Sequence, residues 1–136
     1  MMSEEYDIPE SLLYTEEHEW ARLEKDGTVV IGVTDYASKQ LHEIVYVELP
    51  ETGGDAELAE IVGALESVKA VSDMNSPVGG SITEVNEELL DSPELINESP
   101  YGEGWIAKLK PSDWEGDSVH LMGAEAYRRH VAEQSH

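Results

Sequence analysis

The stretch "AEIVGALESVKAVSDM", from Ala59 to Met74, decides the fold of this chain. It contains no proline, no asparagine and no paired glycine, and it is too long for a single strand in a small domain. We therefore predict that it folds back between Ser67 and Ala70, as a hairpin with Lys69 at or beside its tip. A helix is the alternative, because part of the apolar spacing is helical. The β-branched residues favour strands; they are Ile61, Val62, Val68 and Val71.

Further strand signals flank this hairpin on both sides. Asp26-Gly27 separates two β-rich runs, "HEWARLE" and "TVVIGV", and is a typical hairpin turn. Thr34 is suited to cap a short helix, "DYASKQL". The run "IVYVEL" predicts a strand that ends at Pro50, and "WIAKLK" predicts another that ends at Pro111.

The ends of the chain differ from this β-rich middle. Residues 1–13 are predicted to form an N-terminal tail, and residues 14–136 a single domain. The run "AEAYRRHVAEQ" places apolar residues on one helical face and predicts a C-terminal helix at about 124–134. We expect a mainly β domain, a sandwich or flattened barrel, with short peripheral helices.

The composition excludes several classes of partner. The chain of 136 residues has a formal net charge of −22 and no cysteine. This charge opposes binding to nucleic acid and to anionic membranes, and the lack of cysteine excludes disulfides and thiolate sites. A hydrophobic content of 40% argues against disorder, so we expect a folded protein with a halophile-like acidic surface. The sequence has no membrane-spanning run and no apparent targeting segment, which favours the cytoplasm.

Several motifs, in order, resemble the H proteins of the glycine cleavage system. They cover about positions 14 to 127. They are "YTEEHEW", "IGVTDYASKQL", "IVYVELPETG", "ESVKAVSDMNSPVGG", "EVNEEL", "SPELIN", "PYGEGWIAKLKPSD" and "GAEAY". The resemblance implies the barrel-sandwich hybrid fold of lipoyl and biotinyl domains, in which a lysine at a hairpin tip carries covalent lipoate. By motif match that lysine is Lys69.

The resemblance implies a carrier subunit and not an enzyme. The lipoyl arm would take the aminomethyl group of glycine from glycine decarboxylase (P protein) to the aminomethyltransferase (T protein). Dihydrolipoyl dehydrogenase (L protein) would reoxidise the arm, and a lipoate ligase or lipoyl transferase would attach it to Lys69. The chemistry would belong to the cofactor and these enzymes, while this chain supplies tethering and protection.

The resemblance also assigns two acids that would hold the loaded arm. Glu19 in "HEW" and Asp73 in "KAVSD" occupy the positions that face the loaded amine in the family, where carboxylates make charge-assisted hydrogen bonds. Three positions depart from the family pattern. Glu17 stands where serine is frequent, His42 where glycine is usual, and Gly79 where serine is common. None lies in the lysine motif, but the details of arm docking are expected to differ.

Other functions share part of this pattern. A biotinyl carrier has the same fold, but its lysine usually lies between two methionines, whereas Val68 and Ala70 flank Lys69 here. A lipoyl domain of an acyltransferase would be shorter and followed by further domains. A lipoyl donor or relay for 2-oxoacid dehydrogenases would have the same sequence signal as the glycine cleavage carrier. A hydrolase is disfavoured, because no serine lies in a nucleophile-elbow motif.

Two remaining clusters are interpreted as structural. His18 lies between two glutamates, but strand alternation would point it away from both, so no metal site is expected. Trp20, Trp105 and Tyr46 are assigned to the core rather than to a ligand site.

Overall fold

The computed structural model describes residues 6–134. Within them the chain forms nine strands and five short helices. The strands are β1 (Leu13–Tyr14), β2 (Glu19–Leu23), β3 (Val29–Val33), β4 (Ile44–Glu48), β5 (Asp55–Ala56), β6 (Ile61–Ser67), β7 (Val71–Asn75), β8 (Gly80–Val85) and β9 (Ala107–Pro111). The helices are α1 (Asp35–Leu41), α2 (Glu88–Asp91), α3 (Leu95–Glu98), α4 (Trp114–Ser118) and α5 (Ala124–Gln134).

The strands form two antiparallel sheets that do not close into one barrel. The larger sheet has the order β1-β2-β3-β9-β8-β5, and the smaller has the order β4-β6-β7. Apolar side chains from both sheets meet in one buried cluster, which includes Ile31, Val47, Leu65 and Leu109. The predicted β-rich sandwich with peripheral helices is therefore confirmed.

Local signals in the sequence account for the turns. Asp26 accepts a hydrogen bond from the Thr28 backbone N–H at 2.9 Å, and Gly27 takes a φ of 91°, which glycine adopts without strain. The β2–β3 hairpin is thus as predicted. Thr34 caps α1 by accepting a hydrogen bond from the Ala37 N–H at 3.2 Å. Both features come from residues adjacent in sequence, which is why the sequence predicted them.

The central stretch folds back as expected. β6 and β7 pair along their length, with Glu66 opposite Val71 next to the turn. The helical alternative for this stretch is wrong. In the small sheet β6 lies between β4 and β7, and the turn of the hairpin begins where Ser67 pairs with Ile44, the first residue of β4.

A second buried cluster joins the two ends of the chain. Residues of segment 6–13, which the sequence assigned to a tail, pack into it through Ile8 and Leu12. Tyr14 stacks on Tyr127 of α5 with ring centroids 4.5 Å apart. The C-terminal helix therefore occupies the predicted positions and covers one edge of the large sheet. Within residues 6–134, no helix is both long and apolar enough to cross a bilayer.

Candidate functional site

The tip of the β6–β7 hairpin is a tight turn closed by one serine. The Ser67 N–H donates to the Ala70 carbonyl at 2.8 Å. The Ser67 Oγ accepts the N–H groups of Lys69 at 3.1 Å and of Ala70 at 3.0 Å. These three bonds fix the backbone that carries Lys69, so the root of its side chain is held while the amine stands in solvent.

The amine of Lys69 has a free approach from solvent. Lys69 and its neighbours Val68 and Ala70 are all exposed, and none of the ion pairs among the described residues includes Lys69. The Lys69 Nζ lies 3.5 Å from the Nε2 of His42. An Nε2 without a proton can accept a hydrogen bond from the Lys69 amino group at this distance, and the amine reacts with an acylating reagent only after it has lost its own proton.

His42 reaches Lys69 from an unusual backbone position. It follows α1 with φ 67° and ψ −149°, a region that is almost restricted to glycine. Its carbonyl accepts a hydrogen bond from Asn97 Nδ2 at 2.8 Å, which holds the turn between α1 and β4. The sequence had identified His42 only as a replacement for glycine; the structure shows that it retains a glycine-like conformation and contacts Lys69.

A cavity lies beside the hairpin, between the start of β2, α1 and β7. Its volume is about 160 Å³. Glu19 and Asp73 both line it, so the structure brings together the two acids that the sequence selected. Glu17, one of the departures from the family pattern, also lines it and adds a carboxylate. The apolar part of the wall consists of Val33, Tyr36, Ala37, Leu41 and Leu65.

Glu19 is buried, and its carboxylate links the segment before β2 to the end of β7. Only 1% of the Glu19 surface is exposed to solvent. Its Oε1 accepts the Thr15 hydroxyl at 2.5 Å, and its Oε2 accepts the Asn75 N–H at 2.9 Å. Burial raises the pKa of Glu19 to about 7, although the hydrogen bonds from Thr15 and Asn75 oppose this shift. A cationic group that enters the cavity would therefore favour the ionised carboxylate.

Asp73 differs from Glu19 in its surroundings. It lies exposed on β7, opposite Ala64 of β6, with solvent on one side and the cavity on the other. An exposed carboxylate keeps most of its hydration when it binds a cation, so the desolvation cost is small. Solvent also weakens its attraction for the cation. The two acids thus offer one buried and one exposed contact to an occupant of the cavity.

His18 takes part in a structural network. It precedes β2 with φ 76°, so the strand alternation used to separate it from Glu17 and Glu19 does not apply. Its Nδ1 lies 2.8 Å from the Tyr127 hydroxyl, and its Nε2 lies 2.6 Å from Gln134 Oε1. Burial lowers the pKa of His18 and favours the neutral ring. Within residues 6–134, no group of three His, Asp, Glu or Cys side chains is arranged to hold a metal ion.

The sequence profile of the family "Glycine cleavage H-protein" matches residues 12–134 of this chain. The chain belongs to the glycine cleavage H-protein family. The predicted relationship is thus confirmed.

Individual relatives agree with this assignment. A "Probable glycine cleavage system H protein" of Pyrococcus abyssi is 56% identical over 123 residues, which cover 90% of this chain and 91% of that protein. A "Glycine cleavage system H protein" of Marinobacter nauticus is 48% identical over 126 residues, covering 93% and 96%. The crystal structure of the H protein from Mycobacterium marinum superposes with a TM-score of 0.85 at 35% identity and covers 92% of this chain and 99% of that one.

The structural match also settles the fold class. The two sheets, the open barrel and the C-terminal helix correspond to the barrel-sandwich hybrid expected of a glycine cleavage H protein. H proteins form a lipoyl carrier family and are the carrier subunit of the glycine cleavage system. Sequence reasoning had not identified Asn75 as a partner of Glu19, because Asn75 lies 56 positions away along the chain.

Proposed function

We propose that Lys69 carries lipoate in amide linkage and that this chain shuttles the aminomethyl group of glycine from the decarboxylase to the aminomethyltransferase. Dihydrolipoyl dehydrogenase would complete the cycle, and the whole system would work in the cytoplasm. The observation that supports the proposal is the exposed Lys69 amine on a turn fixed by Ser67. When bound, lipoate supplies a disulfide that accepts and releases the one-carbon unit. The chain's own residues tether, orient and shield it.

The residues at the tip fit this cofactor. An amine that is to be acylated must be accessible and must lose its proton, and Lys69 has both solvent and the His42 imidazole beside it. A cofactor on a long arm also needs a firm root, because the tether sets its effective concentration near each enzyme. The hydrogen bonds of Ser67 supply that root.

Lys69→Arg tests the site of attachment. Arginine keeps the positive charge and the exposure of the side chain, so the fold should be unchanged, but a guanidinium is not acylated. Intact mass spectrometry should show one lipoyl increment on the wild type and on the control Lys110→Arg, which alters another exposed lysine. Lys69→Arg should lack it and should not support glycine decarboxylation. A full decarboxylation rate with Lys69→Arg, or a biotinyl increment on the wild type, would contradict the proposal.

The cavity is proposed to hold the loaded arm. Glu19 and Asp73 would bind its ammonium group by charge-assisted hydrogen bonds, each worth roughly 1.5–3 kcal/mol when shielded and less at the exposed Asp73. The apolar wall would keep water from the labile aminomethyl carbon. The binding must stay weak enough for the transferase to remove the arm. Of the two acids, the buried Glu19 would make the stronger contact with the ammonium group.

Asp73→Asn tests this role without disturbing the hydrogen bonds of Glu19. The amide keeps the size of the side chain and removes its charge, so lipoylation should be unchanged while the loaded form loses ammonia about two to five times faster, as the loss of an exposed ion pair predicts. Glu19→Ala with Asp73→Ala should shorten the lifetime further. The decay is followed by release of ammonia from loaded protein without transferase. A decay as slow as that of the wild type in both variants would remove these acids from the proposal.

A further inference from the structure

The register of the small sheet brings the His42 and Lys69 side chains together. Ile44 of β4 pairs with Ser67 of β6 at the end of the sheet that leads into the hairpin turn. His42 lies two residues before Ile44, and Lys69 lies two residues after Ser67. Continued beyond this pair, the antiparallel register places the histidine opposite the lysine. The 3.5 Å distance between Lys69 Nζ and His42 Nε2 agrees with that placement.

The backbone that carries the imidazole is held by Asn97 of α3. Asn97 Nδ2 donates to the His42 carbonyl at 2.8 Å, and Asn97 Oδ1 accepts the Ile44 N–H at 2.9 Å. Between these two contacts His42 keeps φ 67° and ψ −149°, which is strained for any residue with a Cβ atom, and strain of this kind clusters at functional sites. A position that glycine would fill without strain therefore carries a side chain that contacts the Lys69 amine.

The imidazole is a base placed beside an amine that no carboxylate holds. None of the ion pairs among residues 6–134 includes Lys69. A paired carboxylate would stabilise the ammonium form and oppose the reaction of the amine. A neutral imidazole has one ring nitrogen that can accept a proton. The contact therefore favours proton transfer during a reaction over permanent storage of charge.

We propose that His42 is a catalytic residue for the acylation of Lys69, with Nε2 as general base, an inference that rests on the proposed function of Lys69. An alkylammonium is a much weaker acid than an imidazolium, so the first proton of the resting lysine leaves to solvent. The neutral Nζ then forms a bond to the carbonyl carbon of an acyl group activated as a mixed anhydride or thioester. The nitrogen becomes cationic as this bond forms, and Nε2 accepts one of its protons while the bond to the leaving group breaks. The products are the amide, the leaving-group anion and an imidazolium that returns its proton to water.

The distance and exposure of the two side chains set the size of the effect. A general base acts over about 2.6–3.2 Å, and such contacts are often longer before the reacting group is bound. His42 and Lys69 are both exposed, so side-chain rotation can shorten the contact without a change in the core. A well-positioned general base accelerates a reaction by roughly 10²–10⁴. An exposed one is held less firmly, and we expect about fivefold here.

The charge of the imidazole gives this acceleration its own dependence on pH. Lys39 of α1 is paired with Asp35 at 3.1 Å. The acids on α3, β4, the β6–β7 hairpin and the turn before β4 are Glu43, Glu48, Glu66, Asp73 and Glu98. Acids and lysines do not ordinarily change charge between pH 6 and 8, whereas histidine does. A protonated His42 cannot accept a proton, so its assistance should be lost as the pH falls through this range.

Acetylation without any enzyme tests the proposal on the full chain with unmodified Lys69. The probe is acetyl phosphate, a mixed anhydride, and acetylation is quantified by mass spectrometry of peptides cleaved at acidic residues. Lys110, exposed on β9, is the control within the same molecule, because reagent concentration and amine deprotonation affect both lysines. Molar potassium chloride screens differences in local charge. At pH 8 the ratio of Lys69 to Lys110 acetylation should be about five times higher in the wild type than in His42→Gln.

Two variants separate the imidazole from the backbone. His42→Gln keeps the Cβ atom in its strained position and removes the base, whereas His42→Gly removes both, and the two should give the same low ratio. The wild-type ratio should fall toward that value from pH 8 to 6, while the ratios of the variants stay constant. Equal ratios in the wild type and His42→Gln, or a wild-type ratio in His42→Gly, would overturn the role of His42 and leave Lys69 as the attachment site. A raised wild-type ratio in a chain that never gains a lipoyl increment would instead overturn the proposed function and retain His42 as the base.

Discussion

Replacement of His42 by glycine should stabilise this protein. His42 has φ 67° and ψ −149°, and a non-glycine residue in this region costs on the order of 1–3 kcal/mol. Glycine removes that cost, but it also raises the entropy of the unfolded chain, which costs about 0.5–1 kcal/mol. The exposed 3.5 Å contact between the imidazole and Lys69 contributes little to folding. The expected net gain for His42→Gly is therefore about 1 kcal/mol.

His42→Ala separates backbone strain from the loss of the imidazole. Alanine keeps the Cβ atom, so the strain persists while the contact with Lys69 is lost. Urea unfolding in molar potassium chloride should give His42→Gly a higher free energy of unfolding than both His42→Ala and the wild type, at an unchanged m value. The melting temperature should rise by roughly 4 °C for a gain of about 1 kcal/mol in a domain of this size. If His42→Gly were no more stable than His42→Ala, the strain argument would be refuted.

Two further predictions concern pH and salt. Because the folded-state pKa of Glu19 is about 7 and the ordinary value is 4.5, the folded protein binds more protons than the unfolded chain between these values, and stability falls as pH rises through this window. Glu19→Gln should remove this dependence. The free energy of unfolding of the variant, minus that of the wild type, should therefore rise by on the order of 3 kcal/mol from pH 4.5 to 7 and then level off. A difference that did not vary with pH would contradict this prediction. The net charge of −22 predicts a melting temperature that rises from dilute buffer to molar potassium chloride, because the Debye length falls to about 3 Å in molar salt and the like charges are screened. Calorimetry that showed no rise would exclude the salt-adapted interpretation.

The sequence predicted the features that depend on neighbouring residues. The position of Lys69 at a hairpin tip followed from the length and β-branched content of one stretch, and the caps and turns of Thr34 and Asp26 followed from their side chains. Not every local pattern has the role it suggests. An asparagine just before a helix is typical of an N-cap, but the Asn86 side chain does not cap α2 and instead donates to the carbonyls of Glu103 and Trp105. An asparagine side chain can either cap a helix or hold a loop in place, and only the fold determines which of the two it does.

Other features could not be predicted because they arise from distant pairing. The sequence analysis assigned Tyr46 to the core, which is wrong: the register shift after Ile44 turns Tyr46 outward and places Val47 inside. The burial of Glu19 likewise depends on Asn75, which belongs to another sheet. In the sequence, Glu19 is one of 30 acidic residues, and only the resemblance to a family distinguished it.

The stacking of Tyr14 on Tyr127 has a consequence for biosynthesis. β1 also pairs with Met122, where the Tyr14 N–H donates to the Met122 carbonyl at 2.8 Å. On the ribosome, segment 6–14 is synthesised well before its partner Tyr127 in α5. The β6–β7 hairpin, whose strands are neighbours in sequence, has its own pairing available earlier. Segment 6–14 must therefore remain without these partners until α5 has been synthesised, and truncation of α5 should leave these apolar side chains exposed to chaperones and proteases.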